Sequence, residues 1–112
     1  MATEDNPPKQ RIVHHTAGSR FDLISVYQYN EVTYGKEHAE RYLDFIDGQL
    51  SFLAEHPAAG HIVEQHPSIR VYTAKVRQRR AANGHRIFYR LIPEGIEIIR
   101  ILHTAMNWTG YI

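Results

Sequence analysis

Arg86, Phe88 and Arg90 alternate with Ile87, Tyr89 and Leu91 along one short stretch of the chain. In a β-strand this alternation sends the first three side chains to one face and the second three to the other. Ile87, Tyr89 and Leu91 then make a core face, and the opposite face is basic around one aromatic ring. Arg77 and Arg79 lie upstream, and Asn83-Gly84 is a strong two-residue hairpin signal between them and Arg86. With that turn, Ala81 pairs with Arg86, Arg79 with Phe88 and Arg77 with Arg90, which gathers four arginines around Phe88. Like charges set opposite each other cost a sheet roughly 0.2–1 kcal/mol per pair. An anionic partner would turn that cost into charge-assisted hydrogen bonds. The alternatives are a solvated strand face, or a longer loop over Ala81 to Gly84 that changes the pairs.

The chain has eight histidines and no cysteine. Disulfides, thiolate metal ligands and a cysteine nucleophile are therefore excluded. His56, His61 and His66 recur every five residues and His14 and His15 are adjacent, but no H-E-x-x-H is present and the spacing does not suit zinc. No metal site and no cofactor are expected. His85 and His103 stand at strand ends beside the basic face and are the better candidates for function, with a hydrogen-bonded structural role as the alternative. Arg100 interrupts an apolar strand face and is expected to pair with a helix carboxylate, Asp22, Asp44 or Asp47.

The elements that must position these residues read as follows. Gln10 to His15 is a short β-like run, and Ser19 is a plausible N-cap for a helix from Arg20 to Tyr34. Phe21, Ile24 and Tyr27, with Leu23 and Tyr34 beside them, give that helix its apolar spacing. Gly35 suits a left-handed C-terminal cap. A second helix runs from about Lys36 to Glu55, with Ala39, Leu43, Ile46, Leu50 and Leu53 in one stripe. Gly48 is expected to permit a close helix contact, and His56-Pro57 ends the helix. Pro57 to Pro67 reads as loop. Strand-like runs follow at Ile69–Arg79, His85–Ile92 and Ile96–His103, the last two joined by Pro93-Glu94-Gly95. The fold class is α+β, ordered β-α-α-β-β-β, with a helical hairpin packed on one face of an antiparallel sheet.

Length suits a single domain over residues 10–112, preceded by a polar, disordered tail over residues 1–9. No apolar run is long enough to span a membrane. Residues 1–56 carry five Lys/Arg against nine Asp/Glu, a net of −4, whereas residues 57–112 carry eight against three, a net of +5. The basic second half points to an acidic or polyanionic partner.

Several stretches together resemble the RelE/ParE toxin superfamily. They are Asp22-Leu23-Ile24 with Tyr27, Pro57-Ala58-Ala59-Gly60, Ile69-Arg70, Gly84 to Arg90, and Ile101-Leu102-His103-Thr104-Ala105-Met106-Asn107. They cover nearly all of residues 10–108, in the superfamily's order of elements. The resemblance implies a bacterial, cytoplasmic toxin of a type II toxin–antitoxin system and a cognate antitoxin protein as partner.

The superfamily holds two activities. RelE-like members cut mRNA in the ribosome with basic residues on the sheet, and ParE-like members block DNA gyrase without a known catalytic residue. For an RNase the resemblance would use Arg77, Arg79, Arg86 and Tyr111. That pattern also needs an arginine after the last strand, and Thr104 to Ile112 has no basic residue. A missing cation of this kind typically removes about 2.7–4 kcal/mol of transition-state stabilisation. The ending at Met106-Asn107 resembles the ParE branch. Gyrase inhibition is therefore preferred, with Arg77, Arg79, Arg86, Phe88, Arg90, His103, Met106 and Trp108 as the target-binding set. The alternatives are the mRNA endonuclease, whose partners are ribosome and mRNA, and a non-toxic binding module with a basic sheet face.

Overall fold

The computed structural model describes residues 11–76 and 84–112. The expected N-terminal tail lies outside them, as do Arg77, Arg79, Arg80, Ala81 and Asn83. The element order is β1 (Ile12–His15), α1 (Ala17–Tyr34), α2 (Lys36–Glu55), a 3-10 turn (Pro57–Ala59), β2 (His61–Val63), β3 (His66–Lys75), β4 (Gly84–Ile92), β5 (Gly95–His103) and a second 3-10 turn (Trp108–Gly110). This is the expected α+β layout with one further strand, because β2 occupies part of the expected loop. The five strands lie in the order β1-β5-β4-β3-β2. β1 runs parallel to β5, and the other neighbours are antiparallel.

α1 starts earlier than its sequence suggests. Thr16, not Ser19, is the N-cap: its Oγ1 accepts the Ser19 N–H at 3.1 Å and donates to the Ile99 carbonyl at 2.8 Å. The same hydroxyl thus starts the helix and ties it to β5. Ser19 is fully buried beside His15, its Oγ 2.8 Å from His15 Nδ1. Gly35, at φ 99°, ends α1 and lets α2 begin at once, since positive φ costs glycine nothing.

α2 buries Ala39, Ile46, Leu50 and Leu53 of its expected stripe. Ile46, Leu50 and Leu53 meet Ala74, Ile87, Tyr89, Ile96, Ile98 and Ile101 of the sheet in the main core. Leu91, expected on that face, is half exposed where β4 ends. Gly48 makes no close contact: a Cβ added there would meet nothing within 4 Å.

The hairpin register differs from the sequence expectation. Lys75 pairs with Gly84, Thr73 with Arg86 and Val71 with Phe88. The connection therefore spans residues 76–83, and Gly84 belongs to the strand rather than to a two-residue turn. Phe88 thus lies opposite Val71 and Arg86 opposite Thr73, in place of the expected Arg79 and Ala81, which lie outside the described residues.

Candidate functional site

The basic face predicted around Phe88 is not open in the structure. Phe88 is fully buried and forms a second small core with Val63 and Leu102 on the sheet side away from the main core. The C-terminal segment closes over it. Asn107 Oδ1 accepts the Thr109 N–H and hydroxyl, starting the turn that lays Trp108 against Phe88, with ring centroids 5.4 Å apart. Arg86 donates to the Thr104 carbonyl at 2.8 Å, and Arg90 pairs with Glu97 at 2.6 Å. Both guanidinium groups therefore have internal partners. Arg77 and Arg79 lie outside the described residues, so the four-arginine cluster has no support among the described ones.

Arg100 behaves as its sequence position suggests, and its partner is Asp22. Nε and one terminal nitrogen meet the two carboxylate oxygens at 2.7 and 2.8 Å, and the Ile101 N–H reaches the same carboxylate at 2.8 Å. The aspartate hydrogen bond holds the Arg100 pKa above its ordinary value. The geometry follows from the sheet edge. β1 stops opposite Ile98, and β5 carries an extra residue, Ile99, in its register with β4. Beyond that bulge, Thr16 and Asp22 of the α1 region take backbone groups that a longer β1 would have taken. A bulge re-aims the strand in this way.

Helix α1 buries an unexpected face. Its interior residues are Ser19, Asp22, Val26 and Asn30, whereas Phe21, Ile24, Tyr29, Val32 and Tyr34 are exposed. Val32 keeps 87% of its surface in solvent. The apolar spacing seen in the sequence is real but points largely outward. Isolated exposed apolar residues are common, but five large ones along a single helix mark an interaction surface.

Part of that row lines a groove of about 850 Å³ between α1, the end of β5 and the C-terminal segment. Phe21, Tyr29 and Tyr34 supply one wall, and Met106 and Tyr111 another. The Tyr111 ring lies against Arg100, 5.1 Å from its guanidinium carbon. More buried between the walls are Tyr42, His85 and His103. The Tyr42 hydroxyl is 2.6 Å from His85 Nδ1, and the two imidazoles meet edge to face at 5.3 Å. Burial and the neighbouring His103 push the His85 pKa down to about 4, and burial raises that of Tyr42 to about 12. Both are neutral near pH 7. Among the described residues no group of three or more potential metal ligands forms. This arrangement suits recognition of an amphipathic segment through aromatic walls and a few fixed polar groups.

The structure brings His85, His103 and Met106 to this groove, whereas Arg86, Phe88, Arg90 and Trp108, expected in one set with His103 and Met106, serve the other sheet side. Phe21, Tyr29, Tyr34 and Tyr42 were missed as a site. The available signal was a helix with apolar residues around most of its circumference, which a monomer cannot cover.

A family model described as the ParE toxin of the type II toxin–antitoxin system parDE matches residues 5–108. Toxin ParE1 of Caulobacter vibrioides is 33% identical over 90 residues, 80% of this chain and 84% of that protein. A solved structure of a chromosomal ParDE toxin–antitoxin system from P. aeruginosa aligns with a TM-score of 0.66 at 22% identity, over 86% of this chain and 98% of that one. That structure supports the fold. Among the described residues no helix is long and apolar enough to cross a membrane. From the extent of the family match and the identity to a curated relative, the chain belongs to the ParE toxin family of type II toxin–antitoxin systems.

Proposed function

We propose that this ParE-family toxin inhibits DNA gyrase in the bacterial cytoplasm and is silenced by a cognate antitoxin seated along α1. The observation that carries the antitoxin reading is the outward row of Phe21, Tyr29 and Tyr34 beside the groove. An antitoxin segment that folds on binding can bury such a row, as disordered regulators do. A shallower depression of about 360 Å³ between the helices, lined by Leu23, Ile24, Tyr27 and Leu43, extends the surface to the far side of α1.

The gyrase reading rests on family membership and on the absence of any Lys or Arg after Arg100. The internal pairing of Arg86 and the burial of Phe88 weigh against a phosphate-binding sheet face, and so against mRNA cleavage. Arg77, Arg79, Arg86, Arg90, His103, Met106 and Trp108 remain the proposed contacts to gyrase, with His103 and Met106 reached by way of the groove. The test is a DNA supercoiling assay with purified gyrase. Inhibition at micromolar toxin, relieved by an equimolar antitoxin, is expected. No inhibition, with codon-positioned mRNA cuts that vanish in Arg86→Ala, would transfer the activity to the ribosome.

A further inference from the structure

His103 closes β5, and the chain turns immediately after it. The Ala105 backbone N–H lies 3.0 Å from His103 Nδ1, and the Met106 N–H donates to the His103 carbonyl at 2.9 Å. An amide nitrogen can only donate, so Nδ1 must offer its lone pair and any ring proton must sit on Nε2. A doubly protonated imidazole has no lone pair left. Its Nδ1–H would point at the Ala105 N–H, donor against donor.

Several titratable and charged groups share the groove with the ring. From β4 the ring faces His85, edge to face, and from α2 the groove receives Tyr42 and His38. Arg100 of β5 and Tyr111 of the C-terminal segment line the same groove. Asp22 of α1 is the only carboxylate lining it among the described residues, and it is committed to Arg100 and the Ile101 N–H. Arg86 and Lys75 add positive charge nearby, the first at the Thr104 carbonyl and the second beside Gly84, whose own carbonyl accepts the Thr104 N–H.

We propose that His103 is a proton-sensitive latch: charging its imidazole breaks the bond from Ala105 and frees the C-terminal turn that forms one wall of the groove. Met106 and Tyr111 follow the turn, and Trp108 with them. On the reading of the groove as the antitoxin's seat, the latch makes the toxin's grip on its antitoxin conditional on pH. The latch itself is a property of the free chain and can be tested without any partner.

Trp108 is the single tryptophan and rests on Phe88, so its emission reports the position of the segment. The free full-length chain is titrated from about pH 8 to about pH 5, the interval in which imidazoles usually charge. Far-UV circular dichroism is followed in parallel to confirm that the fold persists. The expected result is a one-proton sigmoid in Trp108 emission, accompanied by an upfield shift of the Ala105 amide proton in ¹H–¹⁵N spectra. His103→Asn keeps an acceptor near Nδ1 and cannot charge, so its emission should stay flat. A flat wild-type titration, an Ala105 amide that does not move, or a sigmoid that persists in His103→Asn overturns the proposal. The spectra of the unmodified chain decide the matter should that variant fold poorly.

Discussion

Asp22 holds Arg100 through both carboxylate oxygens, at 2.7 and 2.8 Å, and holds the next residue's backbone N–H as well. One side chain on α1 thereby fixes both the charge and the backbone of β5 at the point where β1 has ended. Asp22 is buried and Arg100 largely so. Removing one partner of such a pair leaves a charge without its counter-ion. Asp22→Ala should cost about 3 kcal/mol and also orphan the Ile101 N–H. Asp22→Asn, which keeps an acceptor, should cost less. Urea denaturation of both variants checks the order. Equal losses would mean that the charge contributes nothing.

Gly48 offers the opposite test. It lies mid-helix in α2 with open space where a Cβ would go. Gly48→Ala should raise stability by up to about 1 kcal/mol through helix propensity, read as a higher urea midpoint at an unchanged slope.

Stability should also depend on His85. Burial pushes its pKa down to about 4 in the folded chain, from an ordinary value of 6.5. Between those values the unfolded chain binds the extra proton, so stability rises with pH across this window. The contribution is complete above about pH 6.5, shrinks as pH falls toward 4, and is on the order of 3 kcal/mol. His15, lowered chiefly by burial, acts in the same direction. Denaturation midpoints measured from about pH 4 to pH 8 should therefore climb, and His85→Gln should flatten the climb. An unchanged slope in that variant would assign the effect elsewhere.

The antitoxin surface predicts a separation of binding from folding. Phe21 and Tyr29 are exposed at 64% and 62%, so Phe21→Glu and Tyr29→Glu should change stability by no more than about 0.5 kcal/mol. Both should weaken antitoxin binding at least tenfold, about 1.4 kcal/mol, as measured by calorimetry. Wild-type affinity in both variants would move the antitoxin off this helix.

Much of the scaffold was legible from local signals. Gly35, His56-Pro57 and the stripe from Ala39 to Leu53 fixed α2 and its core face. Pro57-Ala58-Ala59-Gly60 carries a family resemblance for which the structure supplies the reason. The Tyr89 hydroxyl donates to the Pro57 carbonyl at 2.7 Å and accepts the Gly60 N–H at 2.9 Å, and a Cβ on Gly60 would strike that hydroxyl at 2.7 Å.

What was not legible depends on long-range geometry. The hairpin was misregistered because Asn83-Gly84 is a signal for a turn, not for its length. The open basic face failed because the covering segment, Trp108 to Ile112, is too short and irregular to announce where it packs. The α1 face was misassigned because periodicity identifies an apolar stripe without saying whether this chain or another covers it. The Asp22–Arg100 pair could be narrowed to three carboxylates by sequence, and only the edge of β5 selects among them.

The parallel pairing of β1 with β5 joins the beginning of the described chain to its end, Ile12 lying beside Gly95. A ribosome releases β1, α1 and α2 long before β5 exists, so the nascent helices have no strand edge on which to close. The β5 wall of the groove, the Asp22–Arg100 clasp and the cover over Phe88 all wait for β5 and the segment that follows it. The surface is therefore completed late: a chain released before Gly95 would carry the α1 wall and Asp22 but lack Arg100, the β5 wall and the cover over Phe88.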